Sequence, residues 1–218
     1  MTRARSNAFM GAVRAGDIMV KHRHGLKATG VIIKLGQLFS KGKSDFIHAG
    51  VASSGVSIIE QSGGGLYENS LLTTNGAFTY DVFRCLIPGV AAGAAQTAVM
   101  LRQGVAEGNF AMPYTSPGAA RSLGPGWAVS SSDRINKTLD QLVGGNSQAF
   151  FCSGFVVYCY LVAMEQMNIA VQGSFPLQRM KTVFGIEDRY YNPSFLHQHL
   201  MSNANFKFIG KVKGAVLA

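Results

Sequence analysis

The sequence predicts an α+β fold built as a single domain over residues 1–218, and three observations predict it. Strand-like runs crowd the first part of the chain, around a paired stretch at 44–65. Two long apolar segments with the length of helices, 90–108 and 151–168, follow in the middle. An alternating tail, NFKFIGKVKGAVLA, closes the chain as a last strand. Hydrophobic residues at 47% supply a core, while charged residues at 14% are too few for a disordered or coiled-coil chain. Twenty-six Gly against six Pro suit the tight turns of a sheet better than a pure helix bundle.

Along the chain, Gly16-Asp17 punctuates a turn before a short strand carrying Ile18, Met19 and Val20. In TGVIIKLGQLFSKG (29–42), Ile32, Leu35 and Leu38-Phe39 recur at helical spacing. SDFIHAGVASSGVSIIEQSGGG reads as a β-hairpin turning through Ser53-Ser54-Gly55. TYDVFRCLI is a further strand, stopped by Pro88-Gly89, and the Ala-rich 90–108 is a helix. MPYTSPGAARSLGPGWAVSSSD (112–133) is loop-like, with Pro113, Pro117 and Pro125. The helix at 151–168 opens with the small polar pair Cys152-Ser153. YYNPSFLHQHL gives a short helix capped by Asn192, with Pro193 at its first position.

A net charge of +9 and a pI near 9.7 favour contact with something acidic: nucleic acid, anionic lipid or a wall polymer. The basic residues gather at Arg3, Arg5, Arg14, Lys21, Arg23 and Lys27, and again at Lys207, Lys211 and Lys213. No RNP, zinc-finger or helix-turn-helix signature accompanies them, which argues against sequence-specific nucleic-acid binding. The longest apolar runs fall short of the ~20 residues that span a membrane. NAFMGAV, broken by Arg14, is a poor secretory signal, so the expectation is a soluble chain without an export signal of its own.

Three cysteines, Cys85, Cys152 and Cys159, lack the spacing of a zinc site or a disulfide framework, and no metal or cofactor is expected. Cys85 in its strand and Cys159 in mid-helix read as core. Cys152 differs because it sits in the first turn of a helix. Free N–H groups and the helix dipole there favour a thiolate, and the same groups can stabilise an oxyanion. Core filling is the competing reading, since free Cys is often buried.

A nucleophilic Cys needs a base. His22 and His24 lie in a basic stretch read as exposed, and His197 and His199 in a late polar one. His48 stands alone inside a small-residue strand, FIHAGVA, where alternation puts Phe46, His48, Gly50 and Ala52 on one face. If the hairpin turns at Ser53-Ser54-Gly55, Ala52 pairs with Val56 and Glu60 falls directly opposite His48. A carboxylate there can hold the imidazole as the third member of a triad does.

The ordered set AGDIM, FIHAGVASSGVSIIEQS and FFCSGFVVY resembles the circularly permuted NlpC/P60 group of papain-like cysteine hydrolases. The resemblance covers roughly residues 15–165. It implies an antiparallel sheet or small barrel packed on helices, with the nucleophile at a helix N-terminus. It also implies Asp17 in the opening turn, His48 as base, Glu60 as the orienting residue, Cys152 as nucleophile and Tyr114 lining the site. The activity implied is hydrolysis of amide bonds in peptidoglycan peptide stems. With no export signal, that activity raises an antibacterial effector made in a bacterial cytoplasm. A secretion machine such as type VI would deliver it to a target periplasm, against a cognate immunity protein. Two other readings stand beside it: an acyltransferase or lipid or acyl-ester hydrolase on the same fold, and a binding module with an inert core Cys.

Overall fold

The computed structural model describes residues 12–23, 45–114, 132–170, 177–213 and 216–217, and its centre is one antiparallel sheet. The strands are β1 (Ile18–His22), β2 (Phe46–Ala52), β3 (Ser57–Ser62), β4 (Gly65–Ser70), β5 (Thr79–Cys85), β6 (Phe206–Lys213) and β7 (Val216–Leu217). Their order is β4-β3-β2-β1-β5-β6-β7, so β4 and β7 form the edges. The helices are α1 (Val90–Ala106), α2 (Ser132–Val143), α3 (Cys152–Ala170), α4 (Leu177–Val183) and α5 (Pro193–Ser202), with a 3-10 turn at Asp188–Tyr190. The α+β class is therefore observed. The helical reading of 29–42 lies outside the described residues.

Alternation along the strands divides the sheet into two faces. Ile18, Val20, Ala49, Val51, Ile59 and Phe83 join the main core with the helices. Met19, Ala52, Ile58, Tyr80, Val82 and Val212 form a smaller apolar cluster. Helix α3 is buried on every side from Cys152 to Glu165, as an apolar helix without a polar stripe must be. It packs closely on α1, where a side chain at Gly93 would stand 3.0 Å from the Ala163 Cβ.

The turn before β1 is tied down by charge. Asp17, 1% exposed, accepts from the Arg14 N–H at 2.8 Å and from Arg84 Nε and Nη2 at 2.9 and 2.7 Å. Gly16 has φ +86°, and a Cβ there would strike the Ala91 carbonyl oxygen at 2.0 Å, so a glycine is required. Asn192 caps α5 by accepting from the Phe195 N–H at 2.9 Å, with Pro193 first in the helix.

The sequence reading omits β4, α2 and α4. GLYENS is short and half polar and continues a Gly-rich turn, so no period marks it as a strand. The loop assigned to 112–133 gives way to α2 at Ser132, whose Ile135, Leu139 and Leu142 do carry a helical period into the core.

Candidate active site

Cys152 is the first residue of α3, and it is buried. The Phe155 N–H donates to the Phe151 carbonyl at 2.9 Å, which leaves the N–H groups of Cys152 to Gly154 without intrahelical partners. The Ser153 N–H turns to the Cys152 sulfur, and so does the Ala49 N–H of β2. The sheet explains the second donor. Strand β2 pairs with β3 only over Gly50–Ala52, and Ala52 spends its own N–H on Asp17, on the β1 side. By alternation Ala49 points toward β3 at the place where that ladder has ended, and the head of α3 fills the gap.

His48 reaches the same point from the other face of β2. Its ring meets the Cys152 thiol in a hydrogen bond, while Nε2 lies 3.0 Å from Glu60 Oε2. With Nε2 engaged by the carboxylate, Nδ1 is the nitrogen left for the thiol. The structure thus brings together Cys152, His48 and Glu60.

The route to that arrangement differs from the expected register. Glu60 stands opposite Gly50, not His48, and Ala52 pairs with Ile58, not Val56. The turn is five residues, closed by the Ser53 N–H on the Ser57 carbonyl at 3.0 Å. The error is two residues, an even number, so Glu60 keeps its face. It reaches His48 along the diagonal, across the bare Cα of Gly50. A second correction concerns Phe46. The β1–β2 register shifts between Lys21 and His22, so that Lys21 faces His48 and His22 faces Phe46. This bulge moves Phe46 to the helix face, where its ring stacks on His197 at 3.8 Å.

Electrostatics make the three residues one unit. Burial opposes a charged His48, but the Cys152 charge and hydrogen bond, with those of Glu60, outweigh it and raise the imidazole to about 10. Burial likewise pushes the Cys152 thiol up. His48 and the N–H groups of Ala49 and Ser153 overcome that and hold it below its ordinary value. Glu60 is lowered to about 2 against the opposing effect of burial, by His48, the Asn75 carboxamide and Lys21. The favoured state is a thiolate beside an imidazolium, backed by a carboxylate.

Tyr114 is also brought to the site. It forms a parallel bridge with Phe150, and burial first, then the Cys152 charge, raise its phenol well above its ordinary value. The rest of the Pro-rich loop, 115–131, lies outside the described residues. Asp17 stays in its turn with Arg84, as a structural residue. His22 is not in an exposed stretch: its side chain is 20% exposed and its Nε2 sits 2.7 Å from Asp81 Oδ1. His197 Nε2 holds the other Asp81 oxygen at 2.9 Å, and His199 Nε2 lies 2.7 Å from the Val183 carbonyl oxygen. His24 lies outside the described residues.

Asn69 and Asn75 near Glu60 escaped the sequence reading, and Lys21 was read there only as part of a basic cluster. Asn69 and Asn75 each donate through Nδ2 to Glu60 Oε1, Asn69 at 3.1 Å. Lys21 lies across the ladder from His48, with Nζ 3.1 Å from the centre of the Phe78 ring. Burial lowers its ammonium pKa, against the pull of Glu60. The only available signal was the Asn75-Gly76 dipeptide, which marks a turn but no partner. Among the described residues, no group of three or more His, Cys, Asp or Glu could hold a metal ion. No described helix is long and apolar enough to cross a membrane. Compared with protein-family models, curated proteins and solved structures, the chain matches none.

Proposed function

We propose that the protein is a cysteine hydrolase that cleaves amide bonds, with Cys152 as nucleophile, His48 as acid and base, and Glu60 as the orienting carboxylate. The observation that carries this reading is the single imidazole held between a buried thiol and a buried carboxylate. A core cysteine has no need of such a partner. Cys159, in the same helix, is pushed far up by burial, with only a backbone hydrogen bond opposing it.

The chemistry follows from the charges. The Cys152 thiolate attacks the amide carbonyl carbon, and the carbonyl oxygen takes up the negative charge. N–H groups in the first turn of α3 that lack intrahelical partners are the donors available to that oxygen. The His48 imidazolium gives its proton to the departing nitrogen as the C–N bond breaks, leaving a thioester on Cys152. Neutral His48 then takes a proton from water, whose oxygen attacks the thioester. The acid leaves and the thiolate–imidazolium pair is restored.

For substrate, we propose the peptide stems of peptidoglycan. The basic balance of the chain, +9, suits an anionic wall, and the ordered motifs resemble wall hydrolases. The test is incubation of purified protein with peptidoglycan and, separately, with phospholipid vesicles, followed by mass spectrometry. Cys152-dependent release of stem peptides supports the reading. Release of fatty acid or transfer of an acyl chain replaces it with the lipid-directed one. No Cys152-dependent product from either substrate removes both.

A further inference from the structure

Both oxygens of Glu60 have a partner, Oε1 through hydrogen bonds and Oε2 through an ion pair. Oε2 faces His48 Nε2 at 3.0 Å, while Oε1 accepts from Asn69, on β4, and from Asn75, in the turn after β4. That turn closes through its own backbone. The Asn75 N–H donates to the Ser70 carbonyl at 2.8 Å, the Gly76 N–H to Thr73 at 3.1 Å, and the Phe78 N–H to the Asn75 carbonyl at 3.1 Å. The Asn75 carboxamide takes no part in those bonds. It is nonetheless buried, at 5% exposure, and aimed at Glu60. A carboxamide in that place favours the ionised carboxyl and decides which oxygen remains for the imidazole.

We propose that Asn75 is a positioning residue of the candidate site: by occupying Glu60 Oε1 it leaves Oε2 to hold His48 Nε2, and so sets the ring that faces Cys152. The inference rests on the thiol-hydrolase reading. Glu60 is also faced by His48 from β2, Lys21 from β1, Tyr80 from β5 and Asn69 from β4, and His48 by Cys152 from α3. Lys21 adds charge, and its ammonium lies over the Phe78 ring. Asn75 adds direction.

The test needs no substrate. The rate of iodoacetamide alkylation at Cys152, resolved from Cys85 and Cys159 by peptide mass spectrometry, is followed against pH. The proteins compared are the parent, Asn75→Leu, Asn69→Leu and Gly76→Ala. Gly76→Ala is the control for the turn alone, because its Cβ would meet the Leu72 carbonyl oxygen at 2.9 Å while the carboxamide stays. Asn75→Leu is expected to move the thiolate profile up by about half to one pH unit, lowering the rate at pH 6 roughly three- to tenfold. Gly76→Ala is expected to lower the melting temperature and leave the profile in place. A superimposable profile for Asn75→Leu, beside a parent thiol that titrates below an ordinary cysteine, overturns the role of Asn75. Should Asn75→Leu not fold, Asn69→Leu decides: a smaller shift in the same direction supports the shared grip on Oε1, and no shift overturns it. A parent thiol titrating near ~8.5 removes the hydrolase reading itself, and this inference with it.

Discussion

His48 and Glu60 hold each other at 3.0 Å although they are not partners in the ladder, for Glu60 pairs with Gly50. The contact is diagonal, and Gly50, the residue opposite Glu60, has no side chain. A Cβ on Gly50 would lie 2.7 Å from both Ile58 Cδ1 and the Ile59 carbonyl oxygen. Gly50→Ala is therefore expected to spread β2 from β3, at a cost of about 1–3 kcal/mol. It should also weaken the grip on His48. Denaturant unfolding and Cys152 alkylation measure the two effects; a parent-like result in both removes the importance of the bare Cα.

Hydrolysis should depend on all three site residues unequally. Cys152→Ala and His48→Ala are expected to lower turnover at least about a thousandfold, because each removes a reacting group. Glu60→Gln keeps the shape and loses the charge, with an expected loss of roughly a hundredfold or more. Initial rates on whichever substrate is cleaved give the order, and a Glu60→Gln rate equal to the parent's would reduce Glu60 to a structural role. The pH profile should be a bell. Its acid side follows protonation of Cys152, below the ordinary thiol range, and its alkaline side follows loss of the His48 proton at about 10.

Acid should destabilise the fold through Glu60. Its carboxyl sits at about 2 in the folded chain against an ordinary 4.5, so the unfolded chain binds the proton more tightly. The contribution is therefore complete above the unfolded value and lost as pH falls from there toward 2. Its size is on the order of 3 kcal/mol. Unfolding curves at pH 7, 4 and 3 should show the parent losing more stability than Glu60→Gln; parallel losses would contradict the assignment.

Asp17 and Arg84 give a test away from the chemistry. Asp17 is 1% exposed and takes two bonds from Arg84, which leaves Arg84 with a poorly solvated charge in Asp17→Asn. The expected cost is about 3–5 kcal/mol in denaturant unfolding. The Cys152 alkylation profile of the folded fraction should stay where it was.

Directed to the periplasm of a bacterial host, the protein is expected to lyse cells in a Cys152-dependent way, and to be harmless in the cytoplasm. Equal harmlessness in both compartments sinks the effector idea.

The local chemistry of the site was open to reading in one dimension. A cysteine heading an apolar helix, a lone histidine in a small-residue strand and a glutamate an even number of residues round a hairpin are patterns of period and position. They set which face each side chain takes, and a register wrong by two still kept Glu60 on the face of His48. The Gly16-Asp17 turn and the Asn192-Pro193 cap are equally local, and both stand in the fold.

What tertiary structure decided is what depends on separate segments meeting. The bulge that turns Phe46 to the helices arises where β1 and β2 fall out of step. The gap that admits Cys152 arises where β2 and β3 stop pairing. The grip of Asn69 and Asn75 on Glu60 depends on β4, whose short polar sequence carries no period to announce it. The charge state of Cys152 belongs to the same class. It depends on a histidine about a hundred residues earlier and on two backbone N–H groups, which meet the sulfur only after the sheet and α3 have packed.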